Sequence, residues 1–211
     1  MGGRGAYSSG GDGLPAKFRD VLGRKGNQRD IDTALSTANK PRYNDDVAYR
    51  INCQRCVWAY ELQRRGYKVQ ALGNDGAGGS FNSSRVFEDL KWEDVKWYKG
   101  KGNGVLSLPK SAGGTAKQRN QIVKNIEQKM TEWGEGSRAI VGVGWRKSPY
   151  GHVFNVENIG GKAYIVDAQV GKKLPLRDYI NQAKVLGVEI ARTDNLRKPN
   201  YDMLKQAVKP L

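Results

Sequence analysis

Apolar positions along this chain change their spacing part-way through. Before Gly134 they recur at helical intervals, and after it they gather in short blocks closed by glycine. Cys53, Cys56, Val57 and Tyr60 follow i, i+3, i+4, i+7, which predicts one helix between Asn52 and Gly66. Asn52 suits an N-cap, Gly66 a left-handed C′ residue, and Arg64 and Arg65 the negative end of the dipole. Thr115-Ala116-Lys117-Gln118 fits a capping box and opens a second helix, with Ile122, Ile126, Met130 and Trp133 on one face and Gly134 ending it. Shorter helices are expected from Pro15 to Leu22, from Asp30 to Asn39 (Asp30 capping, Ile31, Ala34 and Leu35 inward), from Val86 to Tyr98 and from Leu176 to Val185. Strands are expected at Tyr67–Ala71, Ala139–Trp145, Gly151–Glu157, Lys162–Asp167 and Val188–Arg192. Helices first and strands later indicate an α+β domain with an antiparallel sheet. Residues 73–85 and 99–114 are rich in glycine and read as loops within that domain, of a size that often borders an active site.

The 211 residues suit one domain with appendages. Residues 1–26 read as a flexible Gly/Ser-rich tail, 27–195 as the domain proper, and 196–211 as a C-terminal tail whose structure the pattern leaves open. Lys plus Arg number 36 against 21 Asp plus Glu, a net charge of +15. The basic residues are scattered and no nucleic-acid motif accompanies them, so nucleic acid is not favoured. A solvated basic surface matched to an acidic partner fits better. No apolar run reaches membrane-spanning length, and residues 1–13 lack the apolar core of a secretory signal.

The two cysteines, three residues apart, exclude a disulfide framework. Tyr49-Arg50-Ile51 is a poor strand to precede a redox C-x-x-C. One histidine and no third cysteine leave too few ligands for a structural zinc, so no metal and no cofactor are expected. Reduced thiols point to a reducing compartment. A thiol on the first turn of a helix lies beside unpaired N–H groups and the positive dipole end, which favour the thiolate. The plain alternative is that both cysteines are small buried hydrophobes.

His152, the one histidine, opens a strand. With Asn158-Ile159-Gly160-Gly161 as a four-residue turn and Glu157 opposite Lys162, His152 falls directly opposite Asp167, on the face that carries Phe154, Val156, Ala163 and Ile165. An imidazole beside a carboxylate at the rim of an apolar face is costly unless paired or functional. The carboxylate would hold one ring nitrogen and leave the other for a thiol. If the cysteine helix packs on this face, Cys53, His152 and Asp167 form a Cys-His-Asp triad.

Asn52-Cys53-x-x-Cys56-Val57-x-Ala59-x-Glu61-x-x-Arg64-Arg65-Gly66-Tyr67, Gly151-His152-Val153-Phe154-Asn155-Val156-Glu157 and Asp167-x-Gln169-x-Gly171 together resemble the papain-fold toxin family. These are glutamine-deamidase-like domains of bacterial polymorphic toxins and phage-linked proteins. The similarity runs from about Asn39 to Lys173. It implies a papain-like fold, a nucleophile helix packed on an antiparallel sheet, a Cys-His-Asp triad, and conversion of a protein glutamine to glutamate by a toxin or effector. An immunity protein is a further implied partner, as an alternative to the acidic partner that the charge suggests. The implied setting is the reducing cytoplasm of the producer or target cell, with a virion as one delivery route.

The nucleophile has two candidates. Cys53 directly follows the N-cap and is similar to the Asp-Cys start of related cell-wall peptidase helices. Cys56-Val57-Trp58-Ala59-Tyr60 is similar to the papain nucleophile and its aromatic followers, so Cys56 is the alternative. Asn52 and Gln169 are candidate oxyanion or supporting residues. The same groups could serve a papain-like cysteine protease or a transglutaminase. A reading from another class is a basic, phage- or virion-associated binding protein with a vestigial triad.

Overall fold

The computed structural model describes residues 14–40, 44, 46–74, 94, 97–98, 114–185 and 188–211. A 3-10 turn at Ala16–Phe18 runs into helix α1 (Arg19–Leu22), followed by α2 (Ile31–Thr37) and α3 (Cys53–Arg64). Strands β1 (Val69–Ala71) and β2 (Trp97–Tyr98) precede helix α4 (Ala116–Trp133). Then come β3 (Arg138–Gly144), β4 (Gly151–Ile159), β5 (Lys162–Asp167) and β6 (Lys172–Pro175). Helix α5 (Leu176–Ile180), β7 (Glu189–Arg192), α6 (Tyr201–Ala207) and β8 (Val208–Pro210) complete the chain. The architecture is α+β, as the order of patterns predicts. The helix expected over Val86–Tyr98 and the loops at 73–85 and 99–114 lie almost wholly outside the described residues. Trp97 and Tyr98, at the end of that expected helix, pair as a strand with Ala191 and Ile190.

Among the described residues, six strands form one antiparallel sheet in the order β2-β7-β3-β4-β5-β6. Helix α4 covers one face. Its Ile122, Val123, Ile126 and Met130 are buried against Ala139, Val141, Val143, Phe154, Val156 and Ile165. The capping box at Thr115 and Gln118 forms as expected, each side chain bonding the other residue's backbone N–H. Helix α3 covers the opposite face, where Cys56, Val57 and Tyr60 join Ile140, Val153 and Val166 in a second core. Both faces of β3 and β4 are thus covered, which is why every residue from Arg138 to Val143 is buried.

Two features differ from the sequence reading. Glu157 pairs with Tyr164, not Lys162, and the strands run on to Ile159 and Lys162. The cause is a two-residue turn: Gly160 and Gly161 both take positive φ (61° and 77°), the conformation that a tight hairpin needs at both central positions. The register therefore slips by two residues, and an even slip keeps His152 and Asp167 on one face. Asp167 lies beyond the last pair, Asn155–Val166, so it sits diagonal to His152 rather than opposite. Second, α3 packs on the Val153–Asn155–Glu157 face, not on the Phe154–Val156 face, which α4 already fills.

Helix α3 is also wrapped on its outer side. Residues Cys56 to Gln63 are all buried, because α2, α6 and the β1–β8 pair enclose what the sheet does not. The chain ends supply part of this wrapping. Phe18, Val21 and Leu22, in the stretch read as a flexible tail, join the α3 core, as do Met203, Leu204 and Val208 near the C-terminus. The C-terminal end of α3 closes as a Schellman motif: Tyr67 N–H donates to the Leu62 carbonyl, Gly66 N–H to that of Gln63, with Gly66 at φ 100°.

Two buried carboxylates fix α3 to the sheet. Glu157 on β4 accepts from both ends of the Arg64 guanidinium (2.6 and 3.2 Å) and from Tyr60 Oη (2.6 Å). Glu61 on α3 accepts from Arg138 Nε and Nη2 (2.9 and 3.1 Å), from Arg65 Nε (2.7 Å) and from Thr193 Oγ1 (3.0 Å). Burial alone would raise Glu61. The charges and hydrogen bonds of Arg138 and Arg65 outweigh it and hold the group below the usual carboxylate range.

Candidate active site

At the other end of α3 the chain brings its candidate residues together. Helix α3 starts at Cys53, as the pattern predicts, but Asn52 does not cap it through its side chain. The Asn52 amide Nδ2 donates to Asn39 Oδ1 (2.9 Å) and to the Leu72 carbonyl (3.0 Å). Its Oδ1 accepts from the Cys56 thiol (3.2 Å) and from Gln169 Nε2 (3.5 Å). Both amide hydrogens of Asn52 are thus committed within the fold. Arg55 N–H donates to the Asn52 carbonyl (2.9 Å), and among the described residues the Asn52 side chain caps neither the Cys53 nor the Gln54 N–H ahead of it.

His152 stands second in β4, paired across the strand with Val143. Its Nε2 lies 2.7 Å from Asp167 Oδ2, and Cys53 is near enough to help raise its pKa. With Nε2 on the carboxylate, Nδ1 is the nitrogen left for the thiol. Burial by itself would lower the His152 pKa. The bond to Asp167, the neighbouring Cys53 and the charge on both overcome it and push His152 up to about 10. An imidazolium that persists at neutral pH sets a positive charge beside Sγ.

Asp167 ends β5 and is 1% exposed. Its Oδ1 accepts from the Gln169 backbone N–H (3.0 Å), a local turn that Gly171 (φ 68°) completes. Its Oδ2 accepts from His152 and from Tyr179 Oη (2.8 Å). Gln169 is thus tied to Asp167 through its backbone. Its carbonyl accepts from Asn39 Nδ2 (2.9 Å), and Asn39 in turn accepts from Asn52. The chain Asn52–Asn39–Gln169–Asp167 couples the start of the thiol helix to the turn that aims the carboxylate.

The two thiols differ. Cys53 is partly exposed and lies beside His152. Cys56, one turn deeper and 2% exposed, spends its S–H on Asn52. Burial pushes the Cys56 thiol well above its ordinary value, and the charges of Cys53 and Asp167 push it further. A thiolate, the reactive form, is disfavoured there.

Three neighbours were not singled out by the sequence reading. Tyr179 on α5 bonds Asp167 and stands edge-on to His152 (5.7 Å), and Trp145 stacks on the imidazole at 5.8 Å and 23°. Asn39 links the two halves of the site. Trp145 was within reach of the pattern, since Val141, Val143 and Trp145 alternate on one face and Val143 is the partner of His152. Tyr179 and Asn39 carry no local signal, because each reaches its partner only through the tertiary fold.

Among the described residues no group of His, Cys, Asp and Glu could hold a metal ion, and no helix is long and apolar enough to cross a membrane. The family model described as papain fold toxin 1, glutamine deamidase matches residues 51–172, more than half of the chain, from the start of α3 to the start of β6. No curated protein and no solved structure matches.

Proposed function

This chain belongs to the papain fold toxin 1, glutamine deamidase family, and from that premise we propose that it deamidates a glutamine side chain of a target protein through Cys53, His152 and Asp167. The observation that carries the reading is the His152–Asp167 bond (2.7 Å) with the half-buried Cys53 beside the imidazole at the start of α3. Sγ of Cys53 attacks the glutamine carboxamide carbon, forming the C–S bond. Backbone N–H groups at the start of α3 hold the oxyanion. His152 gives its proton to the departing nitrogen, and ammonia leaves behind a thioester. Neutral His152 then takes a proton from water, hydroxide attacks the thioester, and the C–S bond breaks to give glutamate and the starting thiolate–imidazolium pair. The net change is glutamine plus water to glutamate plus ammonia. Asp167 holds Nε2–H in place throughout and stabilises the imidazolium.

The test is incubation with a cell lysate, followed by mass analysis of intact proteins and peptides. A gain of about one mass unit at a glutamine, from NH₂ replaced by OH, with ammonia released, is expected. New chain termini would make the protein a protease, and an amine adduct would make it a transglutaminase. Cys53→Ala should be inactive and folded, whereas Cys56→Ala should remain active and lose about 1 kcal/mol of stability. An active Cys53→Ala with an inactive Cys56→Ala would overturn the nucleophile assignment.

A further inference from the structure

Among the described residues, large apolar side chains left in solvent are few, and their places are informative. They are Val47, Ile51, Tyr150 and Leu211, exposed by 61, 50, 76 and 51%. Leu211 is the last residue of the chain. The other three flank the candidate site. Ile51 is two peptide units from Cys53, and Tyr150 is two from His152. Since adjacent Cα atoms are 3.80 Å apart, each lies within about 7.6 Å of the Cα of its reactive neighbour. Val47 opens the 3-10 turn Val47–Tyr49 that leads to Ile51. An exposed aliphatic residue thus stands just before the thiol in the chain, and an exposed aromatic one just before the imidazole.

These side chains are not spare core. The backbone around them is bonded: Asn74 Nδ2 donates to the Ile51 carbonyl and Asn52 Nδ2 to the Leu72 carbonyl, and the turn between β3 and β4 is pinned by Trp145 N–H to the Tyr150 carbonyl and by Tyr150 N–H to Ser148 Oγ. The backbone that presents Ile51 and Tyr150 is fixed while the side chains stand in water, which is how a recognition surface is built. The same rim carries exposed Arg50, Arg146 and Lys147. Asp46, a described acid next to Val47, uses its carboxylate to cap the 3-10 turn through Ala48 N–H.

We infer that Ile51 and Tyr150, with the cations Arg50 and Lys147, select the glutamine that is deamidated: an exposed target segment with an apolar side chain next to the glutamine and acidic residues flanking it. This rests on the deamidase reading and adds the identity of the substrate segment. The apolar neighbour lies between Ile51 and Tyr150 when the carboxamide reaches Sγ. The acidic flanks meet Arg50 and Lys147, in keeping with the net charge of +15.

The test uses acetylated, amidated peptides with one central glutamine: Leu neighbours with Asp flanks, Ser neighbours with Asp flanks, and Leu neighbours with Lys flanks. Ammonia release and the mass gain give kcat/KM for each. The Leu/Asp peptide should exceed each of the other two by about tenfold or more, the size of a single apolar-contact or charge discrimination. In the double variant Ile51→Ser/Tyr150→Ser the Leu-over-Ser ratio should fall to about one. In Arg50→Glu/Lys147→Glu the Asp-over-Lys ratio should invert. All four positions are exposed, and melting temperatures check that the variants remain folded. Deamidation of all three peptides at equal rates, or ratios that survive the substitutions in folded protein, would overturn the rim and leave the deamidase standing. No deamidation of any peptide or of any lysate protein would overturn both together.

Discussion

Replacing Asp167 by Asn removes one charge and changes almost no volume, so its consequences can be worked through bond by bond. The carboxylate accepts three hydrogen bonds: His152 Nε2 and Tyr179 Oη at Oδ2, and the Gln169 N–H at Oδ1. An amide has only one oxygen for the two sides. If its NH₂ faces His152, Nε2 must accept, the ring proton moves to Nδ1, and Tyr179 loses its acceptor. If its NH₂ faces Gln169, two donors confront each other. In either case the imidazolium loses the negative charge of its partner, and with it stabilisation of about 1.5–3 kcal/mol, which equals a fall of roughly one to two in its pKa. The burial that opposes the charge remains. His152 should therefore move from about 10 towards its ordinary 6.5. Because the chain has one histidine, a proton NMR titration reads a single imidazole without assignment. The wild-type ring should stay charged through neutral pH, and the variant should titrate at least one pH unit lower. The sign for stability follows. A folded value above the unfolded 6.5 means that the folded state binds the extra proton between 6.5 and about 10. This contribution is complete below 6.5 and is lost as the pH rises through 10, and Asp167→Asn should flatten that alkaline loss. A wild-type imidazole that titrates near 6.5, or a variant with an unchanged titration, would refute the reasoning.

Two further expectations concern the far end of α3. Glu61→Gln leaves Arg138 and Arg65 without their buried counter-charge and should cost about 3 kcal/mol, a fall of roughly 6–12 °C in Tm. Since Glu61 is held below its ordinary 4.5, its contribution is complete above 4.5 and is lost as the pH falls through the lowered folded value, so acid should narrow the gap between variant and wild type. Gly66→Ala should destabilise more than Gly136→Ala in urea unfolding. Both positions have positive φ, but a Cβ at Gly66 would strike the Gly26 carbonyl whereas one at Gly136 meets open space. Equal losses would mean that the Gly26–Gly66 approach carries no constraint.

Most local signals were legible in the sequence, the Asn52 cap and the length of the β4–β5 turn excepted, and those that depend on assembly were not. The caps at Asp30 and Thr115 and the stop at Gly66 need only neighbours a few residues away, and each is found where its residues predict. The pairing of His152 with Asp167 survives a wrong turn because side-chain alternation has period two, so the parity mattered and the register did not. The face that α3 covers was misjudged because Asn155 and Glu157 give that side of β4 a polar pattern. They are buried all the same, since Asn155 bonds the Val57 carbonyl and Glu157 bonds Tyr60 and Arg64, while α4 fills the Phe154–Val156 face. Packing of Phe18 and of Leu204 against α3 had no local mark at all, since a short apolar group becomes core only when a distant surface needs covering.

The family pattern becomes intelligible along the length of α3. Cys53 is at one end, and Glu61, Arg64, Arg65 and Gly66 are at the other, about 15 Å away at 1.5 Å per residue. None of these last four touches the thiol. Arg64 grips Glu157 and Glu61 grips Arg138, so both ion pairs tie the C-terminal half of the helix to β4 and β3, the strand that carries His152 and its neighbour. Asn155, between His152 and Glu157 on β4, adds a bond from its Nδ2 to the Val57 carbonyl at the middle of the helix. A helix held to the same strand at its middle and its end has no freedom to slide or turn at its start. The position of Sγ relative to the imidazole is then set by contacts two to three turns away, which a thiol that is itself only half-buried could not provide.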